Sequence, residues 1–258
     1  MTSLLRISSK LIGDLRRRRL RTPGRALLLG LLPLLPAFAA TVTGSVRLID
    51  SQDSGVRNQK DYFGVVVWLE RRDGKALTLR PKVAQMAQRK KHFVPSVLAV
   101  PVGSTVSFPN FDPIFHNAFS TFAGQVFDVG LYPPGTDQKV PLRRAGVVRV
   151  FCNIHPTMSA VILVLNTPFM AVSRSDGSFR IDNVEESEYR LQVFHERATE
   201  ETLKSLERNL TVNNDPISLP PIEISENGYI MTPHKNKYGK SYPAVIEDRP
   251  MYHGNSKP

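Results

Sequence analysis

The chain has a single cysteine, Cys152, and only six histidines among its 258 residues. One cysteine excludes an internal disulfide, and an exposed thiol oxidises readily outside the cytoplasm, so we expect Cys152 to be buried or bound. The histidines include no His-x-His pair, which argues against the histidine clusters of oxygen- or nitrite-reducing metal sites. The sequence also has no Gly-rich phosphate loop, zinc-protease helix or Ser/His/Asp arrangement. We therefore do not expect an enzyme.

The apolar stretch 26–35 near the N-terminus is too short to span a bilayer, which takes about 20 residues. Arginines precede it, and Pro36 and the small residues Ala37 and Ala39 follow it. This order is typical of a secretory signal, and the alternative is a membrane anchor. We predict that residues 1–39 are a signal peptide, so that the mature protein is periplasmic or secreted and has no stable membrane span.

Most of the formal charge of +11 lies in that segment, since the rest of the chain has 26 Arg or Lys and 22 Asp or Glu. Nothing in this balance calls for a nucleic-acid partner. Eight basic residues fall in one polar stretch: Arg71, Arg72, Lys75, Arg80, Lys82, Arg89, Lys90 and Lys91. They could form a docking face for an acidic partner protein, and a solvated surface is the alternative.

Twenty prolines, 16 glycines and short apolar runs rich in Val and Phe favour an all-β fold. After the signal, seven strands are predicted, at 42–49, 65–69, 96–100, 104–108, 138–142, 146–151 and 159–165. A short helix is expected within the polar stretch, around 83–88. Seven strands without a long helix are typical of a Greek-key sandwich, which we assign to residues 40–166.

A second small β-sandwich is predicted for residues 167–224. A turn at 175–178 separates segments in which Phe179 and Ile181, then Tyr189, Leu191 and Val193, alternate with polar residues. Residues 201–210 fit either a strand or a helix. From Ser225 the chain becomes polar and rich in Pro, Asn and Lys, so we expect 225–258 to be an extended or disordered tail.

A candidate metal site is formed by Cys152, His155 and Met158, at the spacing C-x2-H-x2-M, together with His116 far upstream. A thiolate, two imidazoles and a weak thioether suit one copper ion in either oxidation state. Zinc, the other metal considered, also accepts Cys and His but gains nothing from Met. An inert buried cysteine near a structural histidine is the non-functional alternative. The other histidines are expected to have surface or packing roles.

The run 151–158 resembles the ligand loop of the cupredoxins (plastocyanin, azurin, amicyanin), and its C-x2-H-P-x-M form is closest to amicyanin. The resemblance extends to His116-Asn117, and residues 93–120 are similar to exported plastocyanin-like proteins of methylamine utilisation. It implies a blue-copper electron carrier with a redox partner, in which Asn117 braces the Cys152 loop. It also implies that His155 is the exposed route for electrons. The alternative function is a copper-binding carrier or sensor that docks through its C-terminal domain and transfers no electrons. Residues 168–223 resemble carboxypeptidase regulatory-like (transthyretin-like) domains, which implies interaction.

Many phenylalanines lie near His116 in the sequence, and most are expected in the core. One or two could instead line an apolar docking patch. They are Phe108, Phe111, Phe115, Phe119, Phe122 and Phe127.

Overall fold

A computed structural model describes residues 39–121, 125–230 and 233–242, and the all-β prediction is confirmed. The predicted signal peptide lies outside these residues, apart from Ala39. Across the described ranges no helix is both long and apolar enough to cross a membrane. The helices are α1 Ser54–Gln59 and α2 Glu200–Ser205. The strands are β1 Ala40–Ile49, β2 Val66–Arg71, β3 Val83–Gln85, β4 Ala87–Arg89, β5 His92–Val94, β6 Val97–Pro101, β7 Thr105–Pro109, β8 His116–Ser120, β9 Phe127–Tyr132, β10 Asp137–Pro141, β11 Gly146–Phe151, β12 Ser159–Leu165, β13 Met170–Val172, β14 Ser178–Val184, β15 Ser187–Phe194, β16 Arg208–Val212, β17 Ile217–Ser218 and β18 Ile222–Ser225.

One group of strands combines the two ends of the described chain. Strand β1 lies between β14 on one side and β17 and β18 on the other, and β2 lies between β13 and β15. Side chains from both sheets fill one core, including Val42, Leu69 and Tyr189. Strand pairing therefore crosses the boundary expected at residue 166, and the strands of 40–71 belong with those of 170–225. Alternating apolar residues show which face of a strand is buried but not which distant strand it pairs with.

The middle of the chain builds the sheets that hold the candidate site. A five-stranded sheet has the order β6-β12-β11-β8-β9, and a three-stranded sheet has the order β10-β7-β3. A second core that includes Phe108, Val150 and Met158 contains side chains of both sheets. A third cluster, with Val66 of β2 and Val161 of β12, joins this half to the other group of strands.

The prediction of a helix around 83–88 is wrong, because this stretch forms β3 and β4. Strand β3 runs parallel to β7, with Ala84 opposite Val106. Strand β4 forms a tight antiparallel pair with β5. Gln88 is fully buried there and donates a hydrogen bond to the carbonyl of Asn117 (3.1 Å). Pairing with neighbouring strands outweighs the local sequence preference here. The ambiguous segment 201–210 contains both alternatives, since α2 is followed directly by β16.

The expected tail has fixed contacts over much of its described length. Beyond β18, Glu226 is buried, and residues 233–242 lie against the loop that carries Cys152. Asn236 and Lys240 close a turn through their backbones (2.9 Å). Residues 243–258 fall outside the described ranges.

Glu226 joins this end of the chain to the rest through a buried polar cluster. It is 7% exposed and accepts hydrogen bonds from Ser51 Oγ (2.7 Å), His195 Nε2 (2.8 Å) and Arg197 Nε (3.0 Å). Burial opposes the ionisation of Glu226, but the hydrogen bonds from Arg197, Ser51 and His195 outweigh it and lower its pKa. Burial lowers the pKa of His195. Arg197 also faces Asp53 (3.8 Å) and Glu196 (3.9 Å).

Both shifts make the protein less stable in acid. In the unfolded chain, the histidine takes up a proton near pH 6.5 and the glutamate near pH 4.5. In the folded protein, the lowered pKa values keep His195 and Glu226 deprotonated at these pH values. The unfolded state then binds more protons, so the free energy of unfolding decreases as the pH falls. We expect the melting temperature to drop as the pH falls below 6.5, and again below 4.5.

Glu226→Gln tests the cluster, because it removes the nearest carboxylate of the partly buried Arg197 and the buried charge that accepts from His195. We expect a melting temperature roughly 5 to 10 °C lower at pH 7 and a weaker dependence on pH below 4.5. Thermal unfolding between pH 3.5 and 7.5 measures both effects. The control is Glu223→Gln, since Glu223 is exposed and 3.8 Å from Arg47. Equal melting curves for the two variants would contradict this role of Glu226.

Candidate metal centre

The structure brings His116, Cys152 and His155 together. The sulfur of Cys152 lies 3.9 Å from Nδ1 of His116 and 3.7 Å from Nδ1 of His155. The three potential donor atoms lie within 4.8 Å of one another, and the two imidazole rings are 4.8 Å apart. All three side chains are buried, with exposures of 0 to 3%. These three residues could therefore hold a metal ion.

The spacing of these atoms fits a single ion. A sulfur and a nitrogen bound to one metal at about 2.3 and 2.0 Å, with an angle of roughly 110 to 120°, lie roughly 3.5 to 3.8 Å apart. The measured separations of 3.7 and 3.9 Å are close to this range. The side chains need little movement to share one ion. The donor set of one thiolate and two imidazoles is the set found in trigonal copper sites.

Strands β11 and β12 hold the loop that carries three of the predicted ligands. Cys152 follows β11, and β12 begins at Ser159. Two backbone hydrogen bonds close the loop, from Cys152 N to Met158 O and from Met158 N to His155 O (both 3.1 Å). Met158 is fully buried in the same core as Cys152. Its role as a fourth, axial ligand stays a prediction.

Backbone N–H groups surround the sulfur of Cys152. Burial raises the pKa of the thiol, while hydrogen bonds from the backbone of Ile154, His155 and Asn117 act in the opposite direction. The metal-free protein therefore keeps Cys152 protonated, and a metal would have to displace this proton. Once the proton is lost, the same three N–H groups stabilise the thiolate.

Asp112 is a site residue that the sequence analysis missed. Its carboxylate lies 2.9 Å from Nε2 of His116, and this ring nitrogen donates because Nδ1 faces the sulfur. The carboxylate also accepts the backbone N–H groups of Lys90 and Lys91, two consecutive residues in the left-handed conformation (φ 52° and 58°). Burial opposes its ionisation, but these bonds outweigh burial and lower the pKa of Asp112.

This arrangement fixes both the tautomer and the ring orientation of His116, as carboxylates behind metal-bound histidines do. The sequence indicated only a turn at 109–113. The one available signal was an acid four residues before the histidine. Its partners, the N–H groups of Lys90 and Lys91, lie some twenty residues away and become visible only in the fold.

Asn117, predicted to brace the Cys152 loop, makes its side-chain hydrogen bonds to strand β9. Its Nδ2 donates to Asp128 Oδ1 and to the carbonyl of Gly130 (both 2.8 Å). Its backbone N–H is the part that points to the sulfur of Cys152. The bracing role of the side chain therefore stays a prediction.

The prediction that His155 is an exposed route for electrons does not fit its burial. His155 is only 3% exposed. Phe108 and Phe119 are core residues as expected, while Phe111 is 53% exposed beneath the guanidinium of Arg89 (4.8 Å to the ring centre). Phe115 and Phe127 are partly buried, and Phe122 lies outside the described residues.

The other histidines have the expected surface or packing positions where they are described. His92 is exposed, and His195 belongs to the buried Glu226 cluster. His234 stacks on Phe151, with ring centres 4.2 Å apart. His253 lies outside the described ranges.

The molecule is thus a β-protein in which a buried cysteine and two buried histidines form a group that suits one metal ion. No known family model matches the chain. Over 60 residues it is 43% identical to the methylamine utilization protein MauL of Methylorubrum extorquens. The matched stretch covers 23% of this chain and 53% of MauL. The chain therefore spans about half the length of that curated relative.

Two solved structures are similar to a third of the chain. The purple cupredoxin of Nitrosopumilus maritimus is 26% identical, and the match covers 32% of this chain and 99% of that one, with a TM-score of 0.30. Amicyanin of Paracoccus versutus is 19% identical over 32% of this chain and 81% of that one, with a TM-score of 0.31. The transthyretin-like resemblance of 168–223 stays a prediction.

Proposed function

We propose that the chain binds one copper ion through His116, Cys152 and His155, with Met158 as a weak fourth ligand, and carries single electrons. The observation that supports this proposal most is the convergence of three donor atoms within 4.8 Å at a fully buried position. Copper bound there supplies a one-electron couple. The chain supplies a thiolate, two imidazoles and a dry setting.

Electron transfer is favoured by a site that barely changes between oxidation states. Cys152 lies at the end of β11, next to a pairing of Phe151 with Phe119 of β8, the strand that begins with His116. The carboxylate of Asp112 holds the His116 ring. Because paired strands fix the ligands before the metal arrives, little reorganisation opposes the gain or loss of an electron.

Burial also separates this function from copper delivery, the alternative for such a donor set. A protein that passes copper on must expose at least one ligand to its acceptor, whereas the exposures here are 0 to 3%. An electron can cross a few ångströms of closed protein, whereas a metal ion enters or leaves only when the loop opens. We therefore propose an electron carrier and no enzymatic reaction.

The visible spectrum of copper-loaded protein tests the proposal. One equivalent of Cu(II) should give an intense thiolate-to-copper charge-transfer band, and a reductant should bleach it reversibly. Zn(II), which has no such transition, should compete for the same site without producing colour. A colourless Cu(II) complex, or a band that does not saturate at one equivalent, would contradict the proposal.

We further propose that the protein is exported, with 1–39 as its signal, and meets a redox partner protein. Arg89 and Lys90 are exposed and lie at the turn whose backbone holds Asp112. They support an acidic docking partner.

Lys90→Glu tests this surface with a small anionic oxidant, hexacyanoferrate(III). We expect the bimolecular rate of oxidation of the reduced protein to fall roughly 3- to 10-fold at low salt and the difference to shrink at high salt. Stopped-flow absorbance measures it. Lys204→Glu makes the same change of charge on α2, and an equal loss of rate there would contradict a local role for Lys90.

A further inference from the structure

The C-terminal strap, which we define as residues 233–242, crosses the loop that carries Cys152. The hydroxyl of Tyr242 donates a hydrogen bond to the carbonyl of Cys152 (2.7 Å). The backbone N–H of Lys237 donates to Oδ1 of Asn153 (3.0 Å). The strap therefore holds two consecutive residues of the loop, one through its backbone and one through its side chain.

The ring of His234 links these contacts to the end of β11. It stacks on Phe151, with ring centres 4.2 Å apart and an interplanar angle of 25°. Its Nδ1 lies 3.2 Å from the hydroxyl of Tyr242. That hydroxyl gives its only hydrogen to Cys152, so Nδ1 of His234 is the donor in their contact. Burial raises the pKa of Tyr242, which keeps its hydroxyl a donor.

The strap also contacts β9, the strand that pairs with the His116 strand β8. Nζ of Lys237 forms an ion pair with Asp128 of β9 (2.7 Å), and Asp128 accepts a hydrogen bond from the side chain of Asn117 (2.8 Å). Lys237 therefore touches the Cys152 loop through its backbone and the Asn117 side of the site through its charge. The two stretches that supply the metal ligands are tied together by a third.

We infer that the strap is part of the metal site and that Tyr242 and Lys237 are positioning residues for it. This inference rests on the proposed copper function. The carbonyl of Cys152 and the side chain of Asn153 directly precede Ile154 and His155, whose N–H groups point to the sulfur. Fixing that carbonyl and that side chain orients these donors and holds the loop closed over Cys152.

Tyr242→Phe removes one hydroxyl from the strap and tests the inference. In the metal-free protein, Cys152 is fully buried, so a thiol reagent can reach it only when the loop opens. Loss of one buried hydrogen bond should speed its reaction with Ellman's reagent roughly 3- to 10-fold. In the copper-loaded protein, loss of copper to a chelator should speed up by a similar factor.

Tyr238→Phe is the matched control. Tyr238 is 70% exposed, and phenylalanine keeps the ring that lies beside Nζ of Lys237 (5.3 Å to the ring centre). This variant should label at the rate of the unaltered protein. Lys237→Met, which keeps the length of the side chain without its charge, is a second variant and should also label faster. Melting temperatures show whether any faster labelling merely follows a loss of global stability.

Labelling rates that are equal in the Tyr242→Phe, Tyr238→Phe and unaltered proteins would overturn the inference. Faster labelling that is fully explained by lower melting temperatures would do so too. The labelling experiment needs no copper, so it judges the strap separately from the metal. Faster labelling in a protein that never develops a charge-transfer band would defeat the copper function and leave the strap as a device that protects the thiol.

Discussion

Replacing Cys152 with serine is expected to abolish the charge-transfer band and to weaken Cu(II) binding at least 100-fold. The band requires a sulfur bonded to copper, and the serine hydroxyl neither ionises near pH 7 nor supplies a soft donor. The side chain lies between His116 and His155, at 3.9 and 3.7 Å, so its loss removes the donor that both imidazoles face. Visible absorption and competition with a copper chelator measure the two effects.

The substitution should leave the metal-free fold largely in place. Serine is similar in size, and its oxygen can accept from the N–H groups of Ile154, His155 and Asn117 that now face the sulfur. Circular dichroism would verify this. His92→Asn is the control for adventitious copper, since His92 is exposed. A band that survives Cys152→Ser would show that the colour arises elsewhere and would end the copper proposal.

Asp112→Asn is expected to weaken copper binding roughly 10- to 100-fold, the usual effect of removing a carboxylate behind a metal-bound histidine. An amide oxygen in the Oδ2 position could still accept from His116 and Lys91, but the amide nitrogen would then face the N–H group of Lys90, which needs an acceptor. The lost negative charge should also raise the reduction potential, because that charge favours Cu(II) over Cu(I).

Chelator competition and protein-film voltammetry measure the affinity and the potential. Asp137→Asn serves as the control, since it removes the same charge from an exposed position on β10. If both aspartate variants shift the potential equally, the effect is one of net charge only. An unchanged affinity in Asp112→Asn would mean that the buried contact with His116 does not hold the ring for copper.

The local parts of the fold were predictable from the sequence. Strands such as β11 and β12 are short apolar runs bounded by turn residues, and their positions match the prediction closely. The stretch 83–94 was not predictable, because each of its strands has only three residues, too few to show an alternating pattern. They are held by pairing with β7 and by the buried Gln88. The partners of β1 and β2 lie more than a hundred residues away, a distance at which a local pattern carries no signal.

The candidate site also has residues that the sequence could predict and residues that it could not. Cys152, His155 and Met158 lie within seven residues, so their spacing alone suggested a metal. His116 was found because the pair His116-Asn117 resembles the upstream part of cupredoxin sites. No sequence signal identifies Asp112 or Tyr242 as site residues, since acids and tyrosines are common on protein surfaces. Their importance depends on a turn at 90–91 and on the path of the strap, which only the folded chain reveals.

Because β2 pairs with β13, strands β3 to β12 are inserted between two neighbouring strands of one sheet. Met170 lies opposite Trp68, so the chain leaves this sheet after Arg71 and returns in β13, beside β2. Strands β3 to β12 pair only with one another. They can therefore form from contacts near in sequence, while β1 must wait for β17 and β18. Because the strap of residues 233–242 follows β18, the loop that carries Cys152 can receive its contacts from Lys237 and Tyr242 only after the last strand has been made.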